Sequence, residues 1–311
     1  MRIGFDLSPL HRPFPPGVVR AVSESVRALR DRSHIEVVDL IPPPQGELRA
    51  WRKTLPARIR TENLVGLHSF TSAFPRGGPG KRVQTIHELP WRHGVKENAD
   101  WSHRYWASLG ARGADRVLCP TEHVASDLRK TWFAPKDRVR VIPWGVSDSF
   151  AEEPPLGVVD EVVQPKLTQS EDAFALCLGA TREKKNLAGL LHGLAKLRER
   201  HGPRLQVVVG GEDTPQLRRD LGLASKLGLA RWISTPGRIA EEDLPSAYRL
   251  ASVVPVLSPS EGFAFPVLEA LKSGTPVLVP EGSAQSEVAG ELGITCDPKD
   301  PESIADGLER A

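Results

Sequence analysis

Residues 258–280 read SPSEGFAFPVLEALKSGTPVLVP. Two glutamates, Glu261 and Glu269, stand eight positions apart with only glycine and apolar residues beside them. Carboxylates avoid apolar surroundings unless something pairs with them. The preceding VVPVL (253–257) is a short β-branched run that predicts a strand. Pro266 suits the first position of a helix, where its fixed φ and missing N–H cost nothing. The expected order is therefore strand, loop, then helix over 266–273, with Glu261 in the loop and Glu269 in the first turns. Backbone N–H groups of Gly262, Phe263, Ala264 and Phe265 are expected to be open there, which is a natural anion site. Gly262 lets a ligand approach the backbone. Carboxylates beside a phosphate pocket are poor phosphate ligands but good acceptors for vicinal hydroxyls. Hydroxyls on both sides of a diphosphate describe a nucleotide sugar. The plainer alternative is a pair of solvated glutamates on a wet helix face.

Working outward, the 311 residues suit two domains rather than one core. Strand patterns at 2–7, 35–41, 64–68, 83–87, 115–119 and 138–142 alternate with helical ones at 17–31, 99–112 and 121–132. An acidic, proline-bearing stretch over 151–171 then predicts a linker. A second alternating series follows, with strands near 174–179, 204–210, 231–234, 253–257, 276–280 and 292–296. Alternation of this kind predicts an α/β fold with parallel sheets and right-handed crossovers. Two Rossmann-like domains are expected, 1–150 and 172–311, facing a central cleft beyond the strand C-termini. Charge divides along the same line. Residues 1–150 hold 24 Lys+Arg against 15 Asp+Glu, and residues 151–311 hold 17 against 24. A basic first half suits an anionic acceptor or a membrane surface; no nucleic-acid-binding motif is present, so nucleic acid is not an expected partner.

No run of 18 or more apolar residues exists, so no transmembrane helix is expected, and the N-terminus lacks the apolar core of a signal peptide. Cys119, Cys177 and Cys296 have neither metal nor disulfide spacing and sit in apolar stretches, as buried reduced thiols do. The expected location is cytoplasmic, with peripheral contact at the inner face of the membrane as an extension.

A second candidate site lies in LGATREKKNLAGLL, residues 178–191. Arg182, Lys184 and Lys185 cluster just before a helix begins. Cations at a helix N-terminus oppose the dipole unless an anion sits there, which argues for a diphosphate. The alternative is a solvated basic turn. A third candidate is His87, in VQTIHELPWRHG (83–94), after a strand. A lone histidine is more often structural than functional.

EGFAFPVLE (261–269) resembles the E-x7-E motif of family 4 retaining glycosyltransferases with the GT-B fold, and the resemblance runs from Ser258 to Gly290. It implies that Glu261 faces the transferred hexose and Glu269 the nucleotide ribose. The 178–191 stretch resembles the family's phosphate-binding segment, with Lys184 and Lys185 at its basic positions and Ala180 in place of a small hydroxyl residue. TIHE resembles the family's T-I-H-D, which implies that His87 lies beside the sugar; Glu88 stands where aspartate is common. ADRVLCPTEHVASDLRK (114–130) and RVRVIPWGVSDSF (138–150) extend the resemblance, with Trp144 where asparagine is common. The first strand–loop–helix turn departs, because Val19 occupies a glycine position.

The resemblance implies hexosyl transfer, with retention, from a GDP- or UDP-linked sugar to a saccharide, lipid-linked or other hydroxyl acceptor. Glu261, Lys185 and His87 are the candidate catalytic residues. Arg182, Lys184, Lys185, Gly262, Phe263, Ala264, Phe265 and Glu269 are the candidate donor ligands. No Asp-x-Asp triplet is present, so no metal and no separate cofactor is expected. Family members usually continue through further helices, so the C-terminal end at PKDPESIADGLERA is expected to be shortened. The basic segment RAWRKTLPARIR (49–60) reads as a solvated loop, since Pro56 interrupts the helical pattern. Two rival functions share parts of this pattern, a nucleotide-sugar epimerase and a non-catalytic nucleotide-sugar-binding protein.

Overall fold

The structure, a computed structural model, describes residues 1–71, 78–96, 101–131, 136–151, 160–168, 173–202 and 205–311. The chain divides into two compact units, Met1–Trp144 and Gly145–Ala311.

The first unit runs β1 (Arg2–Asp6), α1 (Ser8–His11), α2 (Pro16–Arg30), β2 (Glu36–Leu40), α3 (Leu48–Thr61), β3 (Gly66–Ser69), β4 (Lys81–Thr85), α4 (Trp101–Gly113), β5 (Arg116–Cys119), α5 (Glu122–Arg129) and β6 (Val139–Val141). Its six strands are all parallel, in the order β2-β1-β3-β4-β5-β6. The winding reverses at β1, the arrangement of a doubly wound sheet. Leu40, Leu55, Leu67, Ile86, Val117 and Leu128 are buried in its core. Asp6 closes the C-terminal end of β1. Its Oδ1 accepts from Ser8 N at 3.1 Å and from Trp51 Nε1 at 3.3 Å, and its Oδ2 accepts from Ser69 Oγ at 3.1 Å. Fully buried and surrounded by donors, it ties α3 and β3 to β1.

The second unit runs α6 (Asp160–Leu167), β7 (Phe174–Leu178), α7 (Leu187–His201), β8 (Gln206–Gly210), α8 (Pro215–Lys226), β9 (Ile233–Gly237), α9 (Leu244–Leu250), β10 (Val254–Pro255), α10 (Phe265–Lys272), β11 (Val277–Pro280), α11 (Ala284–Ala289), β12 (Gly293–Cys296) and α12 (Pro301–Arg310). Two parallel three-stranded sheets, β7-β8-β9 and β10-β11-β12, meet through the parallel bridge Ala175–Val253. Leu176 N donates to Val253 O at 3.0 Å and Ser252 N to Phe174 O at 2.9 Å across that seam. The effective order is β9-β8-β7-β10-β11-β12, the winding of a nucleotide-binding sheet. α12 packs closely on α7 because Gly193 has no side chain; a Cβ there would lie 2.3 Å from Ile304 Cγ2.

Four expectations need correction. The segment 49–60 is helix, not loop. Trp51, Leu55 and Ile59 repeat at helical spacing and are all buried, and that apolar stripe holds α3 together through Pro56. The boundary between units falls after Trp144, six residues before the end of the expected first domain. The expected linker holds α6, whose Val163 and Leu167 are buried in the second unit's core. The strand predicted over 253–257 is two residues long, because Pro255 supplies no N–H to a ladder. All three cysteines are buried free thiols, as expected, and burial pushes each thiol up to about 12.

Candidate functional site

In the second unit the winding reverses between β7 and β10. Loops leaving the C-terminal ends of two such strands diverge and leave a crevice. The two motif-bearing loops leave from this pair of strands. Gly179 ends β7 at φ +62°, a conformation that glycine adopts without strain. The chain then makes a tight turn over Glu183–Lys185 and enters α7 through Asn186. Asn186 caps the helix, its Oδ1 accepting from Gly189 N at 3.3 Å while its Nδ2 donates to Pro298 O at 2.8 Å. Lys184 and Lys185 are thus fixed immediately ahead of a 15-residue helix.

Lys185 and Glu261, 76 residues apart, meet there: Lys185 Nζ donates to Glu261 Oε1 at 2.6 Å. Their side chains are 14% and 12% exposed. Burial pushes the Glu261 carboxyl up, but Lys185, Lys184 and Arg182 more than reverse this and hold it below the ordinary value of 4.5. Ala180, Asn186, Leu257 and Pro266 also line the crevice. Three cations against one buried carboxylate leave it electropositive at the positive end of the α7 dipole, a setting for an anion.

Glu269 is 3% exposed and accepts from the hydroxyl of Tyr248 at 2.6 Å. The Tyr248 ring is fully buried and packs edge-on against Phe150 at 5.7 Å. Neither glutamate is a wet helix-face residue, so the plainer reading of the motif fails. The loop between them is also tighter than expected. Ala264 takes φ +63°, folding the chain back, and Gly262, Phe263 and Ala264 are buried. α10 begins at Phe265, one residue before Pro266.

In the first unit His87 lies two residues past β4. Its Nε2–H donates to Phe70 O at 3.1 Å, which leaves Nδ1 as an acceptor. The ring stacks with Phe70 at 6.3 Å and with Trp144 at 6.1 Å. His68 stacks on the other side of this group, 4.3 Å from Phe70, with its Nε2 2.9 Å from Thr85 Oγ1. Burial lowers His87 to about 4; burial and the charge of His87 lower His68 to about 3. Both are neutral imidazoles at pH 7. His87 therefore offers a lone pair to a hydroxyl and carries no positive charge of its own.

Residues 17–150 match the family model Glycosyltransferase Family 4, and residues 159–311 match Glycosyl transferases group 1. The chain is a family 4, group 1-type glycosyltransferase by sequence family. Lys184, Lys185, Glu261 and Glu269 all fall in the group 1 match. O-antigen chain mannosyltransferase B of Escherichia coli is 26% identical over 196 residues, covering 62% of this chain and 50% of that protein. The chain spans about half the length of several curated relatives it matches. Among solved structures, sucrose-phosphate synthase from Thermosynechococcus elongatus aligns over 100% of this chain and 89% of its own, with a TM-score of 0.79 at 19% identity. Anabaena Alr3699/HepE in complex with UDP and glucose aligns with a TM-score of 0.75 at 16% identity, covering 100% and 89%. The shared fold of these glycosyltransferases is GT-B.

For this family member the sequence missed His68 and Tyr248. Tyr248 is one of two tyrosines in the chain and sits at a helical position expected to face the core, one signal of a buried hydroxyl in need of an acceptor. His68, in β3, stands one strand over from His87 near the same sheet edge.

Proposed function

We propose that the protein transfers a hexosyl group, with retention, from a GDP- or UDP-linked sugar to an acceptor hydroxyl in glycan or polysaccharide assembly. The Lys185–Glu261 contact carries this reading. A buried carboxylate suited to sugar hydroxyls lies against a cation cluster suited to phosphates, at the strand-order reversal where such sheets bind nucleotides, and this supports the reading. Glu269, aimed by Tyr248, is the acceptor for the ribose diol.

On this reading Lys185, Lys184 and Arg182 stabilise charge growing on the diphosphate as the bond from the anomeric carbon to phosphate oxygen breaks. The acceptor oxygen bonds that carbon on the same face, and its proton passes to the leaving phosphate oxygen. The three cations do the electrostatic work that a divalent ion does elsewhere, so the step is assigned no metal. His87 contributes hydrogen bonding only, through Nδ1. Helix α3, with exposed Lys53 and Arg60, is the surface assigned to anionic or lipid-linked acceptors. Co-sedimentation with anionic vesicles at low salt tests that assignment, and its absence removes it.

The donor reading is tested by calorimetry and thermal shift with GDP, UDP, ADP and TDP and their sugars. A ligand of the native state raises the melting temperature by linkage. One nucleotide is expected to bind, and to lose binding in Lys185→Ala and Glu269→Ala. No binding by any of the four, in a chain that melts cooperatively, would overturn the donor site. Binding without sugar transfer would leave a nucleotide-sugar-binding protein.

A further inference from the structure

A cluster outside the donor site has no part in the proposed reaction. His93 closes a short turn over Pro90–His93 in the loop after β4. His123 and Asp127 lie four residues apart in the first turns of α5, on one face of the helix. One ligand-type atom from each of the three lies within 4.8 Å of the other two. His93 Nε2 is 2.5 Å from Asp127 Oδ2, and the two imidazole rings stack with centroids 5.0 Å apart. Arg92 Nε stands 3.8 Å from the other carboxylate oxygen, Oδ1.

We propose that His93, His123 and Asp127 form a binding site for a transition-metal cation of the Zn2+ class. Two imidazoles and one carboxylate are the donor set that zinc and its neighbours take; Mg2+ and Ca2+ favour oxygen-only sets. A plain His–Asp hydrogen bond needs two residues. His123, one helical turn before Asp127 on the same face of α5, brings a third ligand-type atom to that point. Bond lengths of about 2.0–2.2 Å place ligand atoms around an ion about 3–3.5 Å apart. The cluster reaches that geometry by opening the His93–Asp127 contact by about 0.5–1 Å and drawing His123 in. The ion replaces the proton shared between Nε2 and Oδ2, which leaves to solvent. Arg92 holds Oδ1 and turns Oδ2 inward, as an outer partner does in metal sites. The ion would staple the loop after β4 to α5. His87 lies at the second position of that loop, so metal binding stiffens the segment carrying it. The site belongs wholly to the first unit and does not depend on the donor reading.

The test uses the full chain after chelation. Zn2+ is titrated by calorimetry, and Co2+ by its visible absorption, which reports ligand geometry directly. One ion per chain is expected, with Mg2+ failing to compete. His123→Ala and Asp127→Asn should each weaken Zn2+ binding by on the order of 10–100-fold or more, since even outer-shell changes have effects of that size. His192→Ala, which removes an exposed histidine of the other unit, should change nothing. Asp127→Asn keeps the side-chain shape, so it still reads if His123→Ala fails to fold. Unchanged Zn2+ affinity in both cluster variants, or a Co2+ spectrum no different from that of the free aqueous ion, would overturn the proposal.

Discussion

His87, after β4, and Glu261, after β10, are both ionisable side chains withdrawn from water at strand ends, yet one is neutral and the other charged. Around His87 the neighbours are Phe70, Trp144 and a backbone carbonyl. Burial outweighs the hydrogen bond to Phe70 O, which favours the charged form, and the imidazole gives up its proton. Around Glu261 stand Lys185, Lys184 and Arg182, and their charges outweigh burial. The difference teaches what each place can do. The first unit presents a hydrogen-bonding, aromatic wall suited to an uncharged hydroxyl-bearing molecule. The second presents a charged crevice whose carboxylate already has a cation in hand.

The sharpest way to break this comparison is Lys185→Ala. It leaves Glu261 buried without its nearest cation, and losing one partner of a buried pair costs about 3–5 kcal/mol. Lys184 and Arg182 remain, so the lower end is expected by chemical denaturation. The double variant Lys185→Met with Glu261→Gln removes both charges and should lie within about 1–2 kcal/mol of the parent protein. A double variant as unstable as the single one would mean that the pair is not the cause.

A smaller effect is expected of Tyr248→Phe, which keeps the ring and removes only the donor to Glu269. Losing a hydrogen bond of this kind costs on the order of 1–3 kcal/mol. The same variant should weaken nucleotide binding while leaving the first unit's properties unchanged. Full stability and full affinity would show that the 2.6 Å contact orients nothing.

A further effect is in pH. His68 and His87 have folded values depressed from 6.5 to about 3 and about 4. Below 6.5 the unfolded chain takes up protons that these folded groups refuse, so stability falls as pH drops from 6.5 towards 4. Glu261 adds nothing in that upper window. Its folded value lies below 4.5, so its contribution is present above 4.5 and is lost as pH falls through the depressed folded value. Melting temperatures of a His68→Gln, His87→Gln double variant, followed from pH 7 to 5, should fall less than those of the parent. Parallel curves would mean that both imidazoles are already solvated.

Much of the fold was legible because strands in parallel sheets and amphipathic helices leave strong periodic patterns. The two motif loops after β7 and β10 were legible because Gly262, Pro266 and the basic cluster each imply a backbone or charge constraint. What escaped the sequence lies where long-range packing overrides local rules. Pro56 looks like a helix breaker, and only the burial of Trp51, Leu55 and Ile59 against the sheet explains why α3 continues. α6 was hidden in acidic, proline-bearing surroundings because its reason to form is Val163 and Leu167 docking elsewhere. Ala264 at φ +63° has no local signal at all, since alanine carries no preference for that region. The Lys185–Glu261 and Tyr248–Glu269 contacts join segments 76 and 21 residues apart, and no spacing rule reaches that far.

The stack of Trp144 on His87 has a use of its own. An imidazolium is an efficient quencher of indole emission, whereas a neutral imidazole is a weak one. With its ring 6.1 Å from His87, Trp144 is placed to report on that ring, its light dimming as the neighbouring imidazole gains a proton.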